Sequence, residues 1–136
     1  MTRPLALLLA AAASLAGCDS GGPAVEDDLI VTWVSDGSGP RVRLETERYS
    51  TCPPPLAVRS DADDERLRIV VEGLSGPPGA CDAEGVSTAE VPIRVRLGSY
   101  DVEVVHRGRT DLYRATNGVV FSFEAVRTSV TRPGPR

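Results

Sequence analysis

His106 is the only histidine among 136 residues. It is therefore the one side chain whose ordinary pKa would let it take up and return a proton near neutral pH. A base of that kind needs a nucleophile, and although serine and threonine are plentiful, no G-x-S-x-G elbow frames any of them. Alternation groups His106 with Tyr100, Val102 and Val104 near a strand end, where an imidazole that packs or hydrogen-bonds is the expected state. The chain contains no lysine, which removes a P-loop lysine, a lysine Schiff base with pyridoxal phosphate and Ser-Lys catalysis together. Paired carboxylates for glycoside hydrolysis leave no fixed spacing in a sequence, because the fold sets their separation. The expectation is a protein that is not an enzyme and uses no cofactor.

The densest acidic run, Asp61-Ala62-Asp63-Asp64-Glu65, is where a hard cation would be sought, with Asp61, Asp63 and Asp64 as oxygen donors. With Glu72 at the twelfth position it imitates a calcium loop. Arg66, however, stands where the loop requires glycine, and residues 67–71 alternate as a strand. A solvated hairpin tip without metal is the expected reading. Arg41, Arg43, Arg66, Arg68, Arg94 and Arg96 would form an anion-binding stripe if their strands were neighbours. The expected arrangement instead faces them to solvent as partners of Glu45, Glu47, Asp101 and Glu103, where they also deter edge-to-edge pairing.

A β framework must position these residues. Residues 41–47 (RVRLETE) alternate polar and apolar without a break, as do 66–69 and 93–97, the pattern of strands with one buried face. Further strands are predicted at 29–34, 100–106, 111–116 and 119–126, separated by Gly, Pro, Asn and Ser clusters. About seven short strands without an amphipathic helix predict an all-β fold, an antiparallel β-sandwich. Asn117-Gly118 predicts a two-residue type I′ hairpin turn, and Arg107-Gly108-Arg109 an earlier turn. Residues 100–126 should thus form three adjacent antiparallel strands. The expected core comprises Leu29, Val31, Trp33, Val42, Leu44, Leu67, Ile69, Val71, Ile93, Val95, Leu97, Val102, Val104, Phe121 and Phe123.

Residues 97–100 read in two ways. As a tight turn, Gly98-Ser99 would pair Val95 with Val102 and Ile93 with Val104 on one face, and Arg96 with Asp101 and Arg94 with Glu103 on the other. Leu97-Gly98-Ser99-Tyr100 followed by Asp101-Val102-Glu103-Val104 also resembles the L-x-x-G-x-Y-x-V-x-V run of immunoglobulin-like and transthyretin-like bacterial modules, with shorter spacing and without its proline. That resemblance implies a corner passing between sheets, its tyrosine hydroxyl bonded back to the backbone.

The N-terminus carries a separate signature. Arg3 precedes an apolar run over residues 5–15, and small residues lead to Cys18. The run falls short of the roughly 20 apolar residues that span a bilayer, and reads as a removable export signal. Leu15-Ala16-Gly17-Cys18 resembles the lipobox of bacterial lipoproteins. The resemblance implies that Cys18 becomes the acylated first residue of the mature chain, lipid-anchored in the bacterial cell envelope and facing the periplasm or the exterior. Several acyl chains hold a protein to a membrane without any further lipid-binding surface. Asp19 resembles an inner-membrane retention signal of enteric bacteria and a surface-export signal of some other phyla, and these two implications conflict. With Cys18 given to lipid, Cys52 and Cys81 remain in an oxidising compartment, and a disulfide is the default expectation. The alternative, a metal or redox pair, lacks C-x-x-C spacing and has only His106 as a further ligand type.

The expected organisation is a signal peptide over 1–17, a lipidated cysteine and flexible acidic linker over 18–28, a β-sandwich over 29–128 and a disordered tail over 129–136. Ser20-Gly21-Gly22-Pro23 and Glu26-Asp27-Asp28 give the linker its character. The mature chain, one domain in length, carries 14 arginines against 19 Asp plus Glu, a balance that disfavours nucleic acid. The expected function is that of a non-enzymatic structural or accessory envelope lipoprotein. The alternative is a tethered module that binds a protein or glycan, including an inhibitor of a secreted enzyme, and a small hydrolase is a third class. Cys52-Pro53-Pro54-Pro55 is one candidate contact loop. A concave cluster of exposed Trp33, Tyr49 or Tyr113 would favour the binding module, although Trp33 alternates with Leu29 and Val31 and is expected inside.

Overall fold

The computed structural model describes residues 22–94 and 97–135. Its strands are β1 (Leu29–Asp36), β2 (Gly39–Thr46), β3 (Ser50–Thr51), β4 (Leu56–Ala62), β5 (Arg66–Leu74), β6 (Glu84–Gly85), β7 (Thr88–Pro92), β8 (Gly98–His106), β9 (Arg109–Asn117), β10 (Ser122–Arg127) and β11 (Thr131–Pro133). One sheet has the order β11-β1-β2-β7, the other β10-β9-β8-β5-β4, and β3 with β6 makes a short ribbon. The fold is all-β and sandwich-like. Alternation sets the inner faces: Leu29 and Val31 of β1, Val42 and Leu44 of β2, Leu67 and Ile69 of β5, Val102 and Val104 of β8 are all sealed from solvent. Burying each such side chain is worth roughly 1.5–3 kcal/mol.

Residues 100–126 do form adjacent antiparallel strands, β8 with β9 and β9 with β10. The tight turn lies at Arg107-Gly108, where φ is +49° and +72° and His106 faces Arg109 across the ladder. Both central residues of a type I′ turn need positive φ. The predicted turn at Asn117-Gly118 is absent, because Thr116 pairs with Ser122 and residues 117–121 form a longer loop.

Two pairings depart from a fully antiparallel sandwich. β5 lies parallel to β8, and β1 parallel to β11. Each follows from a chain that leaves one sheet, visits the other and returns in the same direction. The strand expected at 93–97 is displaced to β7, which pairs with β2. The chain consequently passes from one sheet to the other between Pro92 and Gly98, and the tight-turn register is not formed, since Val102 lies between Leu67 and Tyr113. Tyr100 is buried, and its hydroxyl reaches the Asp63 carbonyl at 3.4 Å. Leu97, expected inside, is 85% exposed at this corner, while Val95 and Arg96 lie outside the described residues.

Both domain boundaries move outward. The C-terminal segment is ordered by β11, whose Thr131 is buried beside Leu29, with Val130 also in the interior. The linker is docked from Pro23 onward: Leu74 N–H donates to the Pro23 carbonyl at 2.8 Å, and Val25 joins the core. The polar composition of both segments concealed single apolar residues, Val25 and Val130, that close the base of the sandwich.

Cross-strand registers explain the arginines. Arg43 lies opposite Glu90, Arg68 opposite Glu103, and Asp101 opposite Arg114. Each forms an ion pair on the solvent face, and Arg41 bridges Asp36 and Glu90. These contacts hold the Asp36 and Glu90 carboxyls below their ordinary range, chiefly through Arg41 and Arg43 respectively. Glu47 pairs with Arg132. The arginines are thus matched to carboxylates rather than gathered as a stripe, although Asp36, Glu90 and Arg114 belong to the pairs in place of some residues expected. Arg94 is exposed and Arg96 is outside the described residues.

Candidate functional site

β11 ends early, and that decides the shape of one side of the sandwich. Pro133 and Pro135 lack the N–H needed to extend a ladder, so β11 covers only Leu29 to Val31 of β1. Gly134 continues briefly, its N–H donating to the Val31 carbonyl at 2.9 Å. A side chain at Gly134 would collide with Thr32 Oγ1, since a Cβ placed there falls 2.0 Å away. Above this point the outer edge of β1 is left facing β10, the edge strand of the other sheet. On the opposite side, β4 and β7 come into contact across the sandwich.

The opening between β1 and β10 is a groove of about 580 Å³ whose lining includes Val31, Trp33, Phe121, Phe123, Ser122, Glu124 and Pro135. Trp33 is half-buried rather than internal, because among the described residues β11 covers that edge of β1 only as far as Val31. Its ring centroid is 4.5 Å from Phe121 and 5.8 Å from Phe123, and Phe123 stacks on the buried Tyr113 at 5.2 Å. Phe121, expected in the core, stands on the groove wall with 38% of its surface exposed, and Val119 and Val120 project from the preceding loop. Three apolar residues, Val119, Val120 and Phe121, are thus exposed beside the half-buried Trp33. Val126 is also exposed, at the register shift between Ala125 and Arg127 of β10. A bulge of this sort turns an edge strand away from indiscriminate pairing.

The wall made by β11 is held by a carboxylate that pattern reading did not single out. Asp111 is fully buried on the inner face of β9. Its oxygens accept the backbone N–H groups of Ser129, Val130 and Thr131 and both of the Ser129 and Thr131 hydroxyls, at 2.7–2.9 Å. Since Thr131 donates to Asp111, Tyr113 must donate to Thr131, at 2.6 Å. Burial works to raise the Asp111 carboxyl, but the Ser129 and Val130 amides and the two hydroxyls outweigh it and hold the group below its ordinary pKa. Burial also pushes the Tyr113 phenol up to about 12. An Asp in phase with Tyr113 and Ala115 on an alternating strand was the available signal.

His106 lies at the base, remote from the groove. It is buried, and its Nε2 is 2.8 Å from the Asp27 carbonyl, so that nitrogen carries the proton and donates it. Arg107 next to it holds the Glu26 carbonyl and the Asp28 carboxylate. Burial chiefly, with Arg107 assisting, keeps the imidazole below its ordinary pKa. The unfolded chain then binds the proton more readily than the folded one. Stability should be complete above the unfolded value of about 6.5 and decline as pH falls through it. Urea unfolding between about pH 7.5 and 5.5 should show this slope, and His106→Gln, which keeps an N–H donor, should lose it; an unchanged slope would assign the effect elsewhere.

The other sequence candidates fall in separate places. Asp61 is on β4, whereas Asp63 and Asp64 lie in the β4–β5 turn, a hairpin tip as expected. The Asp63 carboxylate accepts the Glu65 and Arg66 amides at 2.8 Å, and those bonds lower its pKa against the opposing effect of burial. No group of three or more potential metal-ligating side chains occurs among the described residues. Cys52 and Cys81 form a disulfide with Cα atoms 5.4 Å apart, beside the β3–β6 ribbon. Pro53, Pro54 and Pro55 lead from it into β4. Tyr49 is 75% exposed, but at the base with Val25 and Asp27, and Tyr113 is interior. Cys18 lies outside the described residues.

No protein-family model, curated protein or solved structure matches the chain.

Proposed function

We propose that this chain is a lipid-anchored extracytoplasmic protein of the bacterial envelope, non-enzymatic, whose sandwich is a tethered interaction module. Its ligand is an extended apolar segment of a partner protein, received in the groove between β1 and β10. The observation that carries the reading is the Trp33-Phe121-Phe123 cluster left open between two sheet edges. An accessory role without a ligand gives no reason to leave Phe121, Val119 and Val120 in water. β10 is bonded only to β9 among the described strands, so its other edge offers backbone groups to an added strand. A strand edge running beside the aromatic rings favours a polypeptide over a glycan. Leu15 to Cys18 supports the anchor, and the disulfide agrees with an oxidising compartment. The buried Tyr100 at the start of β8, its hydroxyl bonded back to the Asp63 carbonyl, supports the immunoglobulin-like resemblance.

Selection of random peptides displayed on phage, followed by titration against Trp33 fluorescence, tests this directly. Peptides of alternating apolar residues should bind and shift the emission, and Phe121→Asp should abolish binding while leaving the far-ultraviolet circular dichroism intact. Binding only of oligosaccharides, or of peptides indifferent to Phe121→Asp, would overturn the proposal. Flotation with vesicles, lost on Cys18→Ser, checks the anchor separately.

A further inference from the structure

We infer that residues 23–28 act as a docked strap that seats the sandwich upright on its membrane. The aromatic groove then faces away from the lipid, toward a partner approaching from the aqueous side. This rests on the lipid-anchor reading. Three observations define the strap. Pro23 is bonded to Leu74 at the end of β5, Val25 is buried, and His106 and Arg107 of the β8–β9 turn hold the backbone carbonyls of Asp27 and Glu26. The Asp28 carbonyl accepts the Glu47 amide, and Arg48 pairs with Asp27. The strap therefore crosses the base from one sheet to the other before β1 begins.

Topology places the groove at a distance in two directions. β5 and β10 are separated by β8 and β9, and three interstrand steps of about 4.8 Å put β10 roughly 14 Å to the side of the strap's entry. Along the strands, Trp33 lies four residues above Leu29, and Asn117, where the Val119–Val120 loop begins, eight above Arg109. At about 3.3 Å per residue these are rises of roughly 13 and 26 Å. The covalent reach from Cys18 to Pro23 is at most about 18 Å. A linker that was free as far as residue 28 would reach about 36 Å from Cys18; docking from residue 23 halves that reach and makes the base the part of the domain tied nearest the headgroups. The exposed Val119 and Val120, at the end opposite the strap, are then turned to the aqueous side, where a protein can cover them.

Trp33 is the only tryptophan, which supplies the probe. The lipidated full chain is reconstituted into vesicles of phosphatidylethanolamine and phosphatidylglycerol, with and without a nitroxide on the headgroup. Emission from Trp33 should be unchanged by the nitroxide. A Trp33→Phe/Tyr49→Trp variant, with its indole at the base, should lose most of its emission. Adding Val25→Asp to the native chain should release the strap, so that Trp33 becomes quenchable and the Leu74 amide loses protection from hydrogen exchange. Equal quenching of the two indoles, or quenching of neither, in protein that floats would overturn the orientation while leaving the anchor in place. Flotation no better than that of Cys18→Ser would remove the anchor, and the orientation with it.

Discussion

Asp111→Ala should destabilise the fold by about 3–5 kcal/mol, a large share of the 5–15 kcal/mol typical of a domain. The substitution removes the shared acceptor of three backbone amides and two hydroxyls, of which those of Val130 and Thr131 are buried and those of Ser129 lie at the surface. A buried donor left without a partner costs about 1–3 kcal/mol, and several are orphaned together. Partial rearrangement of the 128–131 crossing keeps the total below a simple sum. Chemical denaturation would measure the loss, and hydrogen exchange should show the Val130 and Thr131 amides losing protection before those of β8. Asp111→Asn keeps one acceptor oxygen and should cost less, about 2 kcal/mol. It also isolates the charge. Because the folded Asp111 carboxyl titrates below its unfolded value near 3.8, its contribution is complete above that value and is lost as pH falls through the folded one. The asparagine variant should lack this component of acid unfolding. Retention of native stability in Asp111→Ala would show that β11 is held by its pairing with β1 alone.

Removing the disulfide is the second large effect. Cys52 and Cys81 are 29 residues apart, and closing a loop of that length restricts the unfolded chain by about 3.6 kcal/mol in the chain-entropy model. The enclosed segment contains the whole β4–β5 hairpin, with Leu56, Leu67 and Ile69 of the core. Reduction, or the paired change Cys52→Ser with Cys81→Ser, should therefore lower the melting temperature by on the order of 10–15 °C. The β3–β6 ribbon joins the same two stretches through the Cys52 amide and the Ala83 carbonyl at 2.7 Å. A fall of only a degree or two would mean that this ribbon orders the loop without the covalent bond. The pair chosen as the default from cysteine number and compartment is the pair that forms.

Strongly alternating stretches were legible because an alternating strand has one face that can be buried. Residues 41–46, 66–69 and 100–106 lie in strands, and Val42, Leu44, Leu67, Ile69, Val102 and Val104 point inward. Leu97 and Phe121 shared the composition of core residues but not their fate, since one sits at an inter-sheet corner and the other just before β10, the edge strand of its sheet among the described residues. β4 and β11 escaped detection for a different reason. β4 is mostly exposed on an edge and carries Arg59, Ser60 and Asp61, and β11 is three residues long with a proline in it. Neither has enough periodicity to stand out. The reading of Arg107-Gly108 and Asn117-Gly118 shows the same limit at turns. Asn117-Gly118 is the pair better suited to positive φ, yet Arg107-Gly108 closes the hairpin, because register decides and register depends on partner strands.

By itself, the sequence determined the β class, the inward positions of the main strands, the disulfide pair and the solvent face of the arginines, because each follows from local periodicity or from a count of residue types. Tertiary structure alone decided that Asp111 faces five donors, that residues 23–28 are docked beneath the sandwich, and that β11 stops short and leaves Trp33 beside Phe121 and Phe123 in an open groove. These are meetings of residues distant in the chain: Asp111 with 129–131, His106 with Asp27, Trp33 with Phe121. No local pattern encodes such a contact, since it forms only when strand order and register bring the partners together.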